Sequence, residues 1–295
     1  MLRQILGSLL TFVGIMGTFV FWYEVIPLAP HFAEWDRNPE NVLIMLAIWA
    51  LVGGFSCLFM SRHIANWAMR VDLLPLDQVD ADVARAEAVL KKTVTRLKLA
   101  RAPQLGIYEQ PEINAYIAGF SLKNSTLVLS RGAVQNLNED ELEILMGREL
   151  LHFKSGDLIG LAFMEGMIFA FTLYVARMLA FLMGTSLRQT EEEATSSDFA
   201  ELFVTGGLIL ILTLPGAIVF WWFSRASALR ADQRVAAVFG SAPYRALLAR
   251  LPGGQPPRRE IFSDAFKLQS RRYPAFLSWM TLQPDVSLRT KRLPV

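Results

Sequence analysis

The chain has 295 residues, 53% of them hydrophobic and only 19% charged, with a mean hydropathy of +0.34. Ordinary soluble domains hold about 45–50% apolar residues even with Gly counted, so this composition points to a membrane protein. A net charge of +2 excludes a strongly basic nucleic-acid binder, and the lone Cys57 excludes a disulfide framework or a Cys-rich zinc module.

Taken from the N-terminus, the first apolar stretch runs from about Ile5 to Leu28 and the second from Val42 to Met60. Each reaches the roughly 20 residues that a helix needs to cross the hydrocarbon core. The first is too long for the apolar region of a signal peptide and no small-residue cleavage site follows it, so it reads as a retained anchor. From Asp80 to Ala100, Val83, Ala86, Leu90, Val94 and Leu97 recur at helical spacing, which predicts an amphipathic helix ended by Pro103. Three short strands are predicted next, at Gln104–Tyr108, Ile113–Ala118 and Ser125–Ser130. Gly119 and the Lys123-Asn124 pair suit a hairpin-like connection.

Asn138 then opens a strong helix. It is a good N-cap, Glu141 stands three residues on as in a capping box, and Glu139, Asp140 and Glu141 favour the positive helix end. This helix carries Glu149 and His152 and is expected to run to about Gly156. A third apolar stretch covers about Leu158 to Gly184, with Glu165 and Arg177 inside it, and a fourth covers Leu202 to Phe223, with Pro215 inside it. Glu165 is expected near a boundary and Arg177 is expected to snorkel outward. Gly253 to Pro257 reads as a loop.

The loops between spans set an orientation. Glu24, Glu34, Asp36 and Glu40 outnumber Arg37 between the first two spans, and Glu191, Glu192, Glu193, Asp198 and Glu201 outnumber Arg188 between the last two. Arg62 and Arg70 follow the second span, and Arg225, Arg230 and Arg234 follow the fourth. Lys and Arg concentrate on the cytoplasmic side. The expectation is a multi-pass protein of the inner (cytoplasmic) membrane with both termini in the cytoplasm. It divides into 1–60 (two spans), 61–157 (cytoplasmic domain), 158–223 (two spans) and 224–295 (the rest of that domain).

The chemistry lies in Arg148-Glu149-Leu150-Leu151-His152. A zinc protease places His-Glu-x-x-His on a helix because residues four apart share a face: both imidazoles reach one metal, and the Glu activates its water. Here the Glu and the second His stand, and Arg148 occupies the first His position. Around this helix, Asn114-Ala115-Tyr116, Thr126 to Gly132, Asn138 to Leu142, Ser224-Arg225, Ala231-Asp232 and the basic Pro284–Leu293 stretch occur in one order. On these motifs the chain resembles the HtpX-like membrane zinc metalloproteases, relatives of the CAAX prenyl proteases, over nearly its whole length.

The resemblance implies an α+β fold: four transmembrane helices and a cytoplasmic gluzincin-like metalloprotease domain, mostly helical with a small sheet. It makes Glu149 the general base, His152 a zinc ligand and Asp232 a supporting residue. It puts the third ligand at the position of Ala228, so Arg148 and Ala228 stand at two of three ligand positions. Arg cannot deprotonate to coordinate, and one imidazole does not make a three-ligand site. Arg148 is expected either to reach Asp232 and Glu149 or to swing to solvent, and no zinc cofactor is expected.

The leading expectation is a membrane pseudoprotease that binds unfolded or membrane polypeptides, or regulates a partner protease, along an edge strand holding Tyr116, Leu127 and Leu129. The bilayer is its other partner, and nucleic acid is not one. The alternatives are an active zinc metalloendopeptidase in membrane-protein quality control, with zinc held by His152 and further ligands, and a structural or assembly subunit.

Overall fold

A computed structural model describes residues 39–69, 71–73, 81–187, 194–251 and 284–294. The first predicted span, His31, the first acidic loop and the Gly253–Pro257 loop lie outside the described residues, as does the side chain of Arg177. The chain divides into two compact units. One comprises 1–56 with 166–214, the other 57–165 with 215–295.

Within the first unit, helix α1 (Pro39–Ala68) begins and helix α5 (Asp157–Leu187) continues. A Cβ at Gly53 would lie 2.2 Å from the Ala170 Cβ and 2.6 Å from the Gly166 carbonyl oxygen, so glycine is what permits these two helices to touch. Among the described residues one helix is long and apolar enough to cross a membrane, Ala47–Trp67 within α1, with a mean hydropathy of 1.3. The exposed side chains of α1 include Ile44, Ile48, Leu51 and Phe55.

The second unit holds the sheet and the motif helix. Strand β1 (Asp72–Leu73), helix α2 (Ala81–Arg96) and strands β2 (Gln104–Tyr108), β3 (Ala115–Gly119) and β4 (Ser125–Ser130) lead to helices α3 (Arg131–Asn136) and α4 (Glu139–Lys154). After α5 come helix α6 (Ala194–Phe239), α7 (Ser241–Arg250) and α8 (Val286–Lys291). The strand order is β1-β2-β4-β3, with β2 and β4 parallel and the outer pairings antiparallel. β2 and β4 keep their expected bounds, and the hairpin between β3 and β4 turns through a short 3-10 helix at Leu122–Asn124. Gly119 has φ +135°, and a Cβ there would lie 2.2 Å from the Asn124 carbonyl oxygen, so both conformation and space demand glycine.

One sheet face packs Ile107, Ile117, Leu127 and Leu129 against Leu142, Leu145, Met146 and Leu150 of α4 and against Ala86, Val89 and Leu90 of α2. Asn138 caps α4 and Glu141 answers through the Asn138 backbone N–H at 3.0 Å, completing the expected capping box. α2 ends at Arg96, earlier than the approach to Pro103 suggested, and Lys98 follows with φ 50°. Buried Glu143 of α4 holds Lys92 at 2.8 Å and Arg96 at 3.3 Å, tying α2 to the motif helix.

The fourth apolar stretch gives way to polar residues after Phe223, and its helix α6 continues through that change to Phe239, with Pro215 inside. The Ser224–Asp232 motif therefore sits on the same helix as the apolar segment. Two arginines of that extension, Arg230 and Arg234, meet Asp157 at 3.2 and 3.0 Å.

Candidate functional site

Three segments distant in sequence supply the site: α4 with Arg148, Glu149 and His152; the latter part of α6 with Ser227, Ala228 and Asp232; and the C-terminal pair α7 and α8 with Tyr244 and Arg289. All eight of these side chains are buried. α4 brings Arg148 and His152 to one face because they are four apart.

Arg148 does not reach solvent. It is 2% exposed, its Nη1 donates to the Glu149 carboxylate, and its Nε donates to Asp232 Oδ1 at 3.3 Å. Of the two courses open to this side chain in the sequence, the structure takes the paired one. Burial by itself would lower the guanidinium pKa, but the charges of Glu149 and Asp232 more than offset it and the net shift is upward. Burial likewise raises the Glu149 carboxyl, although Arg148 pulls it down.

Asp232 is the hub of the cluster. Arg289 donates to it through Nε at 2.6 Å and Nη2 at 2.9 Å, and Tyr244 donates its hydroxyl at 2.6 Å. Arg289 Nη2 also reaches the Tyr244 oxygen at 2.9 Å. Burial raises the Asp232 carboxyl, yet Arg289 foremost and Arg148 after it hold the carboxyl down at about 2. Two guanidinium groups thus face two carboxylates in the interior, which satisfies the requirement that buried charges be paired. Tyr244→Phe deletes a hydrogen bond to a buried charge and is expected to cost about 1.5–3 kcal/mol, read from denaturant melts of the purified protein.

His152 is engaged elsewhere. Its Nε2 lies 2.6 Å from Ser227 Oγ, while its Nδ1 and Arg148 Nη2 have no hydrogen-bond partner among the described residues. Burial first, and the charge of Arg148 second, lower the imidazole from 6.5 to about 3. The folded protein therefore holds His152 neutral. A group depressed in this way lends stability that is complete above its unfolded value and drains away as pH falls through about 6.5 towards 3. Melting temperature is expected to fall between pH 7.5 and 4.5, and His152→Gln, which keeps a partner for Ser227, is expected to flatten that dependence.

The donor set does not suit zinc. Arg148 is a fixed cation, Ala228 has no donor atom, and the remaining imidazole already faces a serine hydroxyl. Among the described residues no group of three or more His, Cys, Asp or Glu side chains could hold a metal ion. His63, exposed on α1, joins no such group.

The expected peptide-binding strand is placed differently. Leu127 and Leu129 lie on β4, an inner strand paired to β2 on one side and β3 on the other, and both are 0% exposed. Among the described strands the edge on that side is β3 with Tyr116, and all five β3 residues are buried. Leu127 and Leu129 are internal because β2 lies parallel to β4, a pairing that no local signal announces. Ser227, Tyr244 and Arg289 also escaped the sequence reading. Arg289 belongs to the basic Pro284–Leu293 stretch, in which nothing local singles out one arginine, and its 0% exposure sets it apart.

A model of "Peptidase family M48" matches residues 80–272 of the chain. A protease HtpX of Stenotrophomonas maltophilia is 30% identical over 222 residues, 72% of this chain and 74% of its own length. A protease HtpX of Haemophilus influenzae is 28% identical over 259 residues, 85% of this chain and 88% of its own. That of Tolumonas auensis is 26% identical over 248 residues, covering 83% and 84%. The crystal structure of S. mikatae Ste24p superposes with a TM-score of 0.60 at 13% identity, covering all of this chain and 66% of that one, and so shares its fold.

Proposed function

The chain belongs to peptidase family M48, and from that footing we propose that it is a membrane-embedded pseudoprotease, a member that keeps the scaffold without zinc-driven cleavage. The observation that carries this reading is Arg148, buried at the first His position of the zinc motif and bonded to Glu149 and Asp232. A general base deprived of a metal contributes only about 10²–10⁴-fold, and here that base is bound to a guanidinium. Ala228 removes a further ligand, and His152 is turned to Ser227.

Four spans, cytoplasmic termini and a cytoplasmic site domain complete the proposal. They rest on the apolar stretches, on the excess of Lys and Arg beside them and on the membrane-length helix in α1. The partners proposed are the bilayer and either unfolded or membrane polypeptides or an active partner protease.

Metal analysis and casein digestion on the full-length protein test the reading together. Substoichiometric zinc and no metal-dependent cleavage are expected. Stoichiometric zinc that disappears in His152→Ala, accompanied by cleavage, would restore the active endopeptidase in its place.

A further inference from the structure

The last turns of α1 are packed along the sheet. Ala65, Met69 and Val71 join Tyr108, Tyr116, Ala118 and Val128 in a second apolar cluster on the face opposite α4. Asn66 donates to Thr126 Oγ1 at 3.5 Å, and Arg62 donates to the Gln104 side chain. Further back along the helix, Phe59 meets Phe120 edge to face with ring centroids 5.0 Å apart.

Phe120 is the first residue after β3, at the tip of the β3–β4 hairpin, and exposed Lys123 follows within the same turn. The tip therefore lies level with Phe59, which is itself within the membrane-length stretch Ala47–Trp67. Beside it α1 exposes Phe59 (55%), Trp67 (62%) and Ile64, with His63 the exposed polar side chain among them.

Three basic residues stand at this end of the sheet. Gln104 stands opposite Thr126, so Arg101, three residues earlier, emerges at the end where Lys123 turns, and Arg62 bonds to Gln104 there. Residues 97–108 and 117–127 contain no Asp or Glu. An aromatic ring level with an exposed apolar helix and flanked by these cations matches the boundary between acyl chains and anionic headgroups.

We propose that the hairpin tip, Phe120 to Lys123, contacts the bilayer, with the Phe120 ring at the acyl boundary and Lys123 among anionic headgroups. The inference rests on the reading of α1 as a membrane span and adds to it. It holds the sheet, and with it the β3 edge, at the membrane surface, so the polypeptides within reach are those lying at or emerging from the bilayer.

Single spin labels on the full-length protein test this. In a Cys57→Ser background whose melt matches the parent, labels are placed at Phe120→Cys, Ser121→Cys and Lys123→Cys. Leu51→Cys on α1 and Lys91→Cys on the exposed side of α2 serve as references. The protein is reconstituted in nanodiscs of phosphatidylcholine and phosphatidylglycerol, and accessibility to oxygen is compared with accessibility to a water-soluble nickel chelate. Positions 120 and 121 are expected to favour oxygen several-fold over Lys91→Cys, and position 123 to fall between them and that reference. Water-like values at all three, with an oxygen-favoured Leu51→Cys, would overturn the hairpin contact alone. Low accessibility to both reagents would also overturn it, by showing a protein partner on the tip. A water-like Leu51→Cys would instead remove the membrane reading of α1 on which the inference stands.

Discussion

Arg148→Ala is expected to lower the free energy of unfolding by about 3–5 kcal/mol, the usual consequence of removing one partner from a buried ion pair. Two carboxylates lose a cation at once. Asp232 retains Arg289 and Tyr244, but Glu149 loses the ion pair that it makes with Arg148. The damage should therefore fall mainly on Glu149. That gives the experiment an internal control: Arg148→Met combined with Glu149→Gln removes both charges and should recover much of the loss. Denaturant titration of the full-length protein in detergent reads both values. Equal stability of Arg148→Ala and the parent would mean that the guanidinium contributes nothing to cohesion.

The second large effect is a gain. Arg148→His with Ala228→Glu is expected to give a chain that binds zinc stoichiometrically and cleaves casein only when metal is present, whereas neither single replacement should do so. Each single variant still lacks one of three ligands, and catalytic zinc sites of this type use three protein ligands and leave one position open. Arg148→His must also release Glu149, since a base bound to a guanidinium cannot serve water. His152 has to exchange its 2.6 Å contact with Ser227 for the metal, so Ser227→Ala should raise zinc affinity in the double variant without changing the parent. A double variant that binds no zinc would show that the site has drifted further than two positions.

Local features were legible in the sequence. The Asn138–Glu141 capping box, the strands β2 and β4 and the turn at Gly119 all follow from short-range chemistry, and each is found in place. The order of motifs was enough to identify the family. What the sequence withheld was long-range pairing. Nothing near Leu127 says that β2 will lie parallel on one side of it, and nothing near Arg289 says that a short terminal helix will bury that guanidinium against Asp232, 57 residues away. The length of α6 was obscured for a different reason. A change from apolar to charged residues marks where surroundings change, whereas helical hydrogen bonding continues across such a change unopposed.

The cation at the centre of the Glu149–Asp232 cluster is joined to the main chain by covalent bonds. It cannot be dialysed away, captured by a competing binder or withheld by scarcity in the cell. The link that Arg148 makes between α4 and α6 is thereby supplied by the chain itself and persists whatever ions the surrounding solution holds.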